Sequence, residues 1–317
     1  MQQSISRKKG ANMNQQGLSK LRFACIALSC SMFLSANVLA DCRGIVLHAH
    51  RGDPNLTENS SRAIESGLQG NWDGVEIDIQ QLRDRAWVIQ HDTILGRTTS
   101  LARKRVQDLD SAMWREVRLK DRKGNVTKEE APFLSDVLAK AAEYPDKIIN
   151  AEIKQASWGC ELANNAVAEF NKARPNGNWF LTSIERGHLR CARQADPQGY
   201  LGLIVLDKQA LARQDPRTAR QADNLAPPRI DRAWLQTLVR EVPLPVGIHI
   251  DTNTLDANAN ILKDAKELGI AVFTYNLIGD REHLRDLRAT RQRTGMWPSG
   301  AIIDGAANNF CSELMRN

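Results

Sequence analysis

Eight short runs rich in β-branched and apolar residues recur along the chain, separated by stretches long enough to be helices. They are Ile45–His50, Gly74–Ile79, Lys147–Ile153, Trp179–Ile184, Tyr200–Leu206, Val246–Ile250, Ile270–Tyr275 and Gly300–Asp304. Each is apolar enough to be buried on both faces, as strands of a parallel sheet are. Helical patterns fill gaps between them at Ser60–Gln69, Ser135–Glu143, Glu161–Ala173, Asp231–Glu241 and Leu255–Leu268. Thr57-Glu58-Asn59-Ser60 supplies capping side chains for the first of these, and Gly269 can close the last. Strand and helix alternating eight times over about 270 residues is the rhythm of an α/β fold, the (β/α)8 TIM barrel. A doubly wound open sheet is the runner-up. It usually has fewer strands, and no glycine-rich phosphate loop follows the first run here. The rhythm breaks once, in a small insertion after the second strand. Ala86–Gln90 follows that strand too closely for a crossover helix and reads as a hairpin-like extension. Leu101–Lys128 is charged and poorly periodic, and is expected to lie over the barrel mouth.

The formal charge of +6 hints at a polyanion partner, but its distribution argues against nucleic acid. Arg7, Lys8, Lys9, Lys20 and Arg22, with no acid among residues 1–40, account for five of the six charges and leave +1 for the rest. Lys20 and Arg22 precede an apolar run, Phe23 to Leu34, broken only by Ser29 and Ser31, and Val38-Leu39-Ala40 follows. Charged, apolar, then small is the order of a secretory signal. The division expected is therefore a signal peptide over 1–40, cleaved after Ala40, and a barrel domain over 41–317, secreted or periplasmic. A membrane anchor is the competing reading, but so short an apolar run cannot cross a hydrocarbon core of about 30 Å. Asp41 is a poor neighbour for lipid attachment at Cys42. Once Cys25 and Cys30 leave with the signal, Cys42, Cys160, Cys191 and Cys311 remain, an even number that suits two disulfides in an oxidising compartment. Cys42–Cys311 would tie the ends of the mature chain and Cys160–Cys191 would link two helical segments. Four free thiols are the alternative, and sequence alone does not fix the pairing. No pair has zinc-site spacing.

In a barrel of this kind, reactive residues project from the C-terminal ends of the strands. Those ends read His50-Arg51-Gly52, Glu76-Ile77-Asp78, His91-Asp92 and Glu152-Ile153-Lys154. Alternate strand residues face the same way, so Glu76 shares a side with Asp78, and Glu152 with Lys154. If those sides face the axis, three carboxylates converge, and they repel one another unless a cation sits among them. Three oxygen donors with room for water and substrate suit Mg2+ or Ca2+. Arg51 can fork onto phosphoryl oxygens and Lys154 adds a point charge. His50 and His91 titrate near neutrality, so one can accept a proton from an attacking hydroxyl while the other protonates the leaving alcohol.

The set resembles the glycerophosphodiester phosphodiesterase family, whose motifs run H-R-G, E-N, E-x-D, H-D and E-x-K in that order. Here they stand as His50-Arg51-Gly52, Glu58-Asn59, Glu76-Ile77-Asp78, His91-Asp92 and Glu152-Ile153-Lys154. The likeness is sharpest over residues 45–154. Later echoes are Val272-Phe273-Thr274-Tyr275-Asn276, where the family favours Trp at the Phe273 position, and Gly300–Asp304. The resemblance implies a metal held by Glu76, Asp78 and Glu152, with His50 and His91 as the acid-base pair. It also implies attack on phosphorus by the substrate's own vicinal hydroxyl or by water, releasing glycerol phosphate and an alcohol. Phe273 puts the fit of the substrate's head group in question.

Other residues have plainer readings. His48 shares a face with His50, giving the H-x-H that opens metal-dependent amidohydrolases, with His249 and Asp304 as loose later matches. Lys154 on the third strand argues against that chemistry, and His48 is taken as a core or supporting residue. His188 and His283 lie in charged helical stretches and are expected to face solvent. Asp207, Asp251 and Asn276 end strands, where they either contact the alcohol moiety or cap the next stretch of chain. The seven tryptophans are scattered and form no stacking platform for nucleotides. The rival functions are a phospholipase-D-like activity on lysolipids or sphingomyelin, and a non-catalytic phosphodiester binder. The first needs an apolar channel, for which Leu101–Lys128 is too charged, although Trp114 offers one possible anchor. A small phosphodiester is the expected partner, with no stable membrane anchor. The head group, the choice of cation, the oligomeric state and the assignment of acid and base stay open.

Overall fold

In a computed structural model of the protein, residues 42–156 and 159–316 are described. The expected signal segment, with its cleavage site, and Trp158 lie outside them. All eight expected runs are strands: β1 (Val46–His50), β2 (Gly74–Gln81), β6 (Ile148–Ile153), β7 (Trp179–Ser183), β8 (Leu201–Val205), β9 (Val246–Asp251), β10 (Ala271–Tyr275) and β11 (Gly300–Ile303). They pair in parallel in the order β1-β11-β10-β9-β8-β7-β6-β2, and pairing of β1 with β2 closes the barrel. Residues pointing outward, such as Leu47, Ala49, Val75, Ile77 and Ile149, are fully buried under the helices. At Ser61–Gln69 the helix covers this face with Ile64 and Leu68, and its N-cap Ser60 accepts a hydrogen bond from Ala63 N.

The inner face is filled by matching rings to glycines. Phe273 on β10 lies over Gly300 of β11, and His249 on β9 over Gly202 of β8. A Cβ at either glycine would collide with the ring, so these strands keep glycine for space rather than for flexibility. Two disulfides are present. Cys42–Cys311 staples the chain before β1 to the last helix, Ala307–Met315, and Cys160–Cys191 links the helices Glu161–Ala173 and Arg186–Ala195.

The insertion is ordered. β3 (Trp87–Ile89) returns antiparallel to β2, as the short spacing predicts, and β4 (Arg118–Lys120) pairs with β5 (Val126–Glu130) in a separate hairpin. Leu82, Val88, Leu95, Val106, Leu109, Val117 and Leu119 form a small core of their own around Trp114. Trp114 is fully buried in that core, so it cannot serve as a membrane anchor.

Three expectations need correction. Leu255–Leu268 is two helices, Thr252–Ala257 and Ile261–Glu267. The break falls at Asn258, whose side chain leaves the helix to accept from Ile230 N and donate to the Pro228 carbonyl. His188 and His283 do not face solvent: both are 1% exposed. Their helices turn these faces onto the barrel, where His188 Nδ1 meets Ser183 Oγ and His283 Nε2 meets Thr274 Oγ1. Burial holds both imidazoles below their ordinary pKa, His283 at about 3.

Candidate active site

Strand register decides which side chains meet. His50 lies beside Glu76 on the neighbouring strand, and Asp78 lies beside Glu152 on the next. In a parallel sheet such partners share a face, so all four point to the axis near the C-terminal mouth. Glu76, Asp78 and Glu152 each bring a carboxylate oxygen to within 4.8 Å of the others. Glu76 and Asp78 are buried, and Glu152 is only partly exposed. The sides that carry these acids do face the axis, and the three carboxylates converge there.

Each acid has its own support. Asn59 donates Nδ2 to Asp78 Oδ2 at 2.7 Å and accepts from Asp78 N at 3.2 Å, a two-point hold that places the asparagine of the E-N pair. Arg51 N donates to Glu76 Oε2, and Lys154 Nζ lies 2.9 Å from Glu152 Oε1 and 3.6 Å from Asp78 Oδ1. Arg51 sits in the left-handed region at φ 58° and Gly52 follows at φ 89°. A Cβ on Gly52 would run into the Ala63 and Ile64 backbone, so the tight H-R-G turn requires glycine. The turn aims Arg51 back over the acids, with Nε 3.3 Å from Asp78 Oδ2 and Nη1 donating to Glu58.

The electrostatics fit a hard divalent cation. Burial and the charge of Asp78 push Glu76 up to about 8, and burial raises Glu152 despite Lys154. Asp78 goes the other way: burial opposes its charge, but Arg51 and Lys154 hold it well below the usual carboxylate range. Three carboxylates face two cationic side chains, a balance of about −1 when all are ionised. A divalent ion among those oxygens would reverse this to about +1, opposite in sign to a phosphodiester.

Both expected imidazoles stand at the mouth with a carboxylate on Nδ1. His50 Nδ1 is 2.6 Å from Asp304 Oδ1, and His91 Nδ1 is 2.7 Å from Asp92 Oδ1. Burial and Arg51 alone would lower the pKa of His50. The bond to Asp304, with the charges of Glu76 and Asp304, outweighs them and leaves it raised. His50 borders the triad through Glu76, and His91 borders it through the fields of Asp78 and Glu152. Asp304 thus belongs to His50 at the end of the last strand, not to an amidohydrolase metal. His48 and His249 lie in the barrel interior, packed against Phe180 and Phe273. Burial pushes both down to about 3.

The remaining strand ends turn out to cap. Asp207 accepts from Ala210 N, Asn253 Nδ2 and Thr254 Oγ1. Asp251 accepts from Asn253 N and Leu277 N, and Asn276 Oδ1 from Ile278 N and Gly279 N. Phe273 is 7% exposed and stacks on His249 at 4.8 Å, in the interior. Tyr275, two residues on and facing the same way, reaches the mouth instead, its hydroxyl donating to the Val205 carbonyl. In the sequence Tyr275 has no role beyond its place in the Val272–Asn276 echo, and no motif singles out Arg97, an insertion residue whose guanidinium bonds both Glu58 and Asp92. Its only signal was its place five residues beyond Asp92.

Residues 50–293 match the model of the glycerophosphoryl diester phosphodiesterase family. The chain belongs to this family. A glycerophosphodiester phosphodiesterase of Bacillus altitudinis is 30% identical over 167 residues, 51% of this chain and 66% of that protein. An uncharacterized Bacillus subtilis protein is 34% identical over 118 residues, 35% of this chain and 45% of its own length. The chain thus spans less than two thirds of either relative. Among solved structures, an Oleispira antarctica phosphodiesterase in complex with the product sn-glycerol-3-phosphate superposes with a TM-score of 0.62 at 19% identity, covering 85% of this chain and 96% of that one. At that identity the likeness establishes the barrel fold, and in this family member the acids, bases and imidazoles described above occupy one end of it.

Proposed function

We propose that this chain hydrolyses glycerophosphodiesters to glycerol phosphate and an alcohol, with a divalent cation, Ca2+ or Mg2+, held by Glu76, Asp78 and Glu152. The observation that carries the reading is the meeting of those three carboxylates beside two imidazoles, each backed by its own carboxylate. Family membership and the product named for the Oleispira antarctica phosphodiesterase support the substrate class.

When bound, the cation supplies positive charge to a non-bridging phosphoryl oxygen. Arg51 binds the same phosphoryl group: Nη1 goes to Glu58, and Nη2 has no protein partner among the described residues. Lys154 Nζ adds a point charge from the end of β6, two strands round from β1. With Nδ1–H donating to Asp304 or Asp92, each imidazole keeps Nε2 for the substrate. One Nε2 takes the proton of the attacking hydroxyl, water's or the substrate's own, as that oxygen bonds to phosphorus. The other gives its proton to the alkoxide oxygen as the P–O bond to the alcohol breaks. Attack by the substrate's own hydroxyl gives a cyclic phosphodiester, which a water then opens to glycerol phosphate with the two imidazoles in exchanged roles. Asp304 and Asp92 stabilise whichever imidazolium forms.

Export to the periplasm or medium is part of the proposal, supported by the two disulfides and the basic-then-apolar leader. Turnover of glycerophosphocholine and of bis(p-nitrophenyl) phosphate, with and without EDTA, tests the chemistry. Hydrolysis abolished by EDTA, restored by Mg2+ or Ca2+ and lost in His50→Ala supports it. Tight binding without turnover points to a phosphodiester-binding protein instead, and turnover untouched by EDTA removes the metal.

A further inference from the structure

We infer that Arg97, delivered by the insertion, is a positioning residue that aligns the phosphate-binding Arg51 and the proton-transferring His91 as one unit. Its guanidinium grips two carboxylates. Nη1 and Nη2 donate to Glu58 at 2.7 and 2.6 Å, and Nε and Nη2 donate to Asp92 at 2.8 and 3.1 Å. Each carboxylate passes the constraint on: Glu58 Oε1 also accepts from Arg51 Nη1 at 2.9 Å, and Asp92 Oδ1 also meets His91 Nδ1 at 2.7 Å. The result is a continuous chain, Arg51–Glu58–Arg97–Asp92–His91, that joins the end of β1 to the loop after β3. A planar fork with five donors can hold both oxygens of two carboxylates at once, four bonds here, whereas an ammonium has three donors and no fixed plane.

The insertion is built to hold that fork in place. Lys120 on β4 donates N–H to the Thr98 carbonyl and Nζ to the Gly96 carbonyl, pinning the residues on either side of Arg97. The Lys120 carbonyl accepts from Thr57 Oγ1, immediately before Glu58. One insertion residue therefore fixes both partners of the bridge. Arg97 is half exposed and neither of its carboxylate partners belongs to the hydrophobic core, so Arg97→Ala is expected to fold.

The inference rests on the proposed hydrolysis, so the experiment begins with wild-type turnover of glycerophosphocholine. Arg97→Ala is expected to lower kcat by about tenfold or more, and kcat/KM further, because binding by Arg51 and proton transfer by His91 are loosened together. Arg97→Lys should recover little of the loss. Millimolar guanidinium ion should restore part of the rate of Arg97→Ala, which a general weakening of the fold would not allow. Arg122→Gln, in the turn of the β4–β5 hairpin and bonded through its side chain to the Pro54 carbonyl alone among the described residues, should behave as wild type. A wild type without turnover overturns the functional reading and this inference with it. An active wild type whose Arg97→Ala keeps its kcat, or whose loss is matched by Arg122→Gln or fully recovered by Arg97→Lys, overturns the inference alone.

Discussion

His48 and His50 are two residues apart on one face of one strand, yet they live in different chemical regimes. His50 stands at the barrel mouth, partly exposed, with Asp304 on Nδ1 and Glu76 beside it, and its pKa is raised. His48 lies one layer down, fully buried among Phe180 and Phe273, with neither ring nitrogen hydrogen-bonded, and its pKa is driven to about 3. The difference lies in surroundings, not in residue type. Height along a barrel strand separates a region of paired charges from a region of rings: an imidazole keeps a carboxylate partner and a raised pKa in the first and is packing in the second.

The largest expected effect tests the upper region. His50→Ala and His91→Ala should each lower kcat by about two to four orders of magnitude, the range of a lost general acid or base. His48→Leu should leave kcat within a few-fold of wild type. Equal losses at positions 48 and 50 in a steady-state assay would erase the division between mouth and interior.

A smaller effect tests how the mouth is held. Asp304→Asn keeps a group beside His50 Nδ1 but removes the negative charge. Its kcat should fall by about ten- to a hundredfold, the range for loss of an outer carboxylate that orients a site imidazole. Because the bond to Asp304 and its charge raise His50, the limb of the pH–rate profile that reports His50 should move to lower pH. A limb that stays in place would detach Asp304 from His50.

The interior pair predicts a pH-dependent stability. His48 and His249 have folded values of about 3 against an unbound reference of 6.5. Below pH 6.5 the unfolded chain takes up protons that the folded chain refuses. The stability these residues leave intact at neutral pH is therefore lost progressively between pH 6.5 and 3, by up to about 1.4 kcal/mol per pH unit for each. Urea midpoints across that window should fall less steeply in His48→Leu, by one proton's slope. An unchanged slope would mean that His48 is protonated in the fold.

How much of this was legible depends on the same division. The strands are readable because burial on both faces forces short, nearly unbroken apolar runs, and Glu76, Asp78 and Glu152 because parity and strand ends fix both face and height. His188 and His283 misled because charged neighbours hid a helical face. His188, Leu189 and Ala192 do stand at the spacing of one buried stripe, so the signal was present. Arg97 was hidden for a different reason. The insertion has neither helical nor strand periodicity around it, and the partners of Arg97 come from separate segments, so only the folded chain shows the bridge.

The smallest effect concerns Phe273, where the family favours Trp. From sequence that position raises a question about the head group, but the ring lies in the interior, stacked on His249 and seated over Gly300. Phe273→Trp adds volume where a single Cβ on Gly300 would already collide with the ring. It should cost about 1–2 kcal/mol of stability through overpacking, read as a lower denaturation midpoint. The ratio of kcat/KM between glycerophosphocholine and glycerophosphoethanolamine should not move, because the ring that faces the mouth from this strand is Tyr275. A changed head-group preference in Phe273→Trp with the midpoint intact would place position 273 at the substrate, and the layer that separates packing from chemistry would have to be drawn lower.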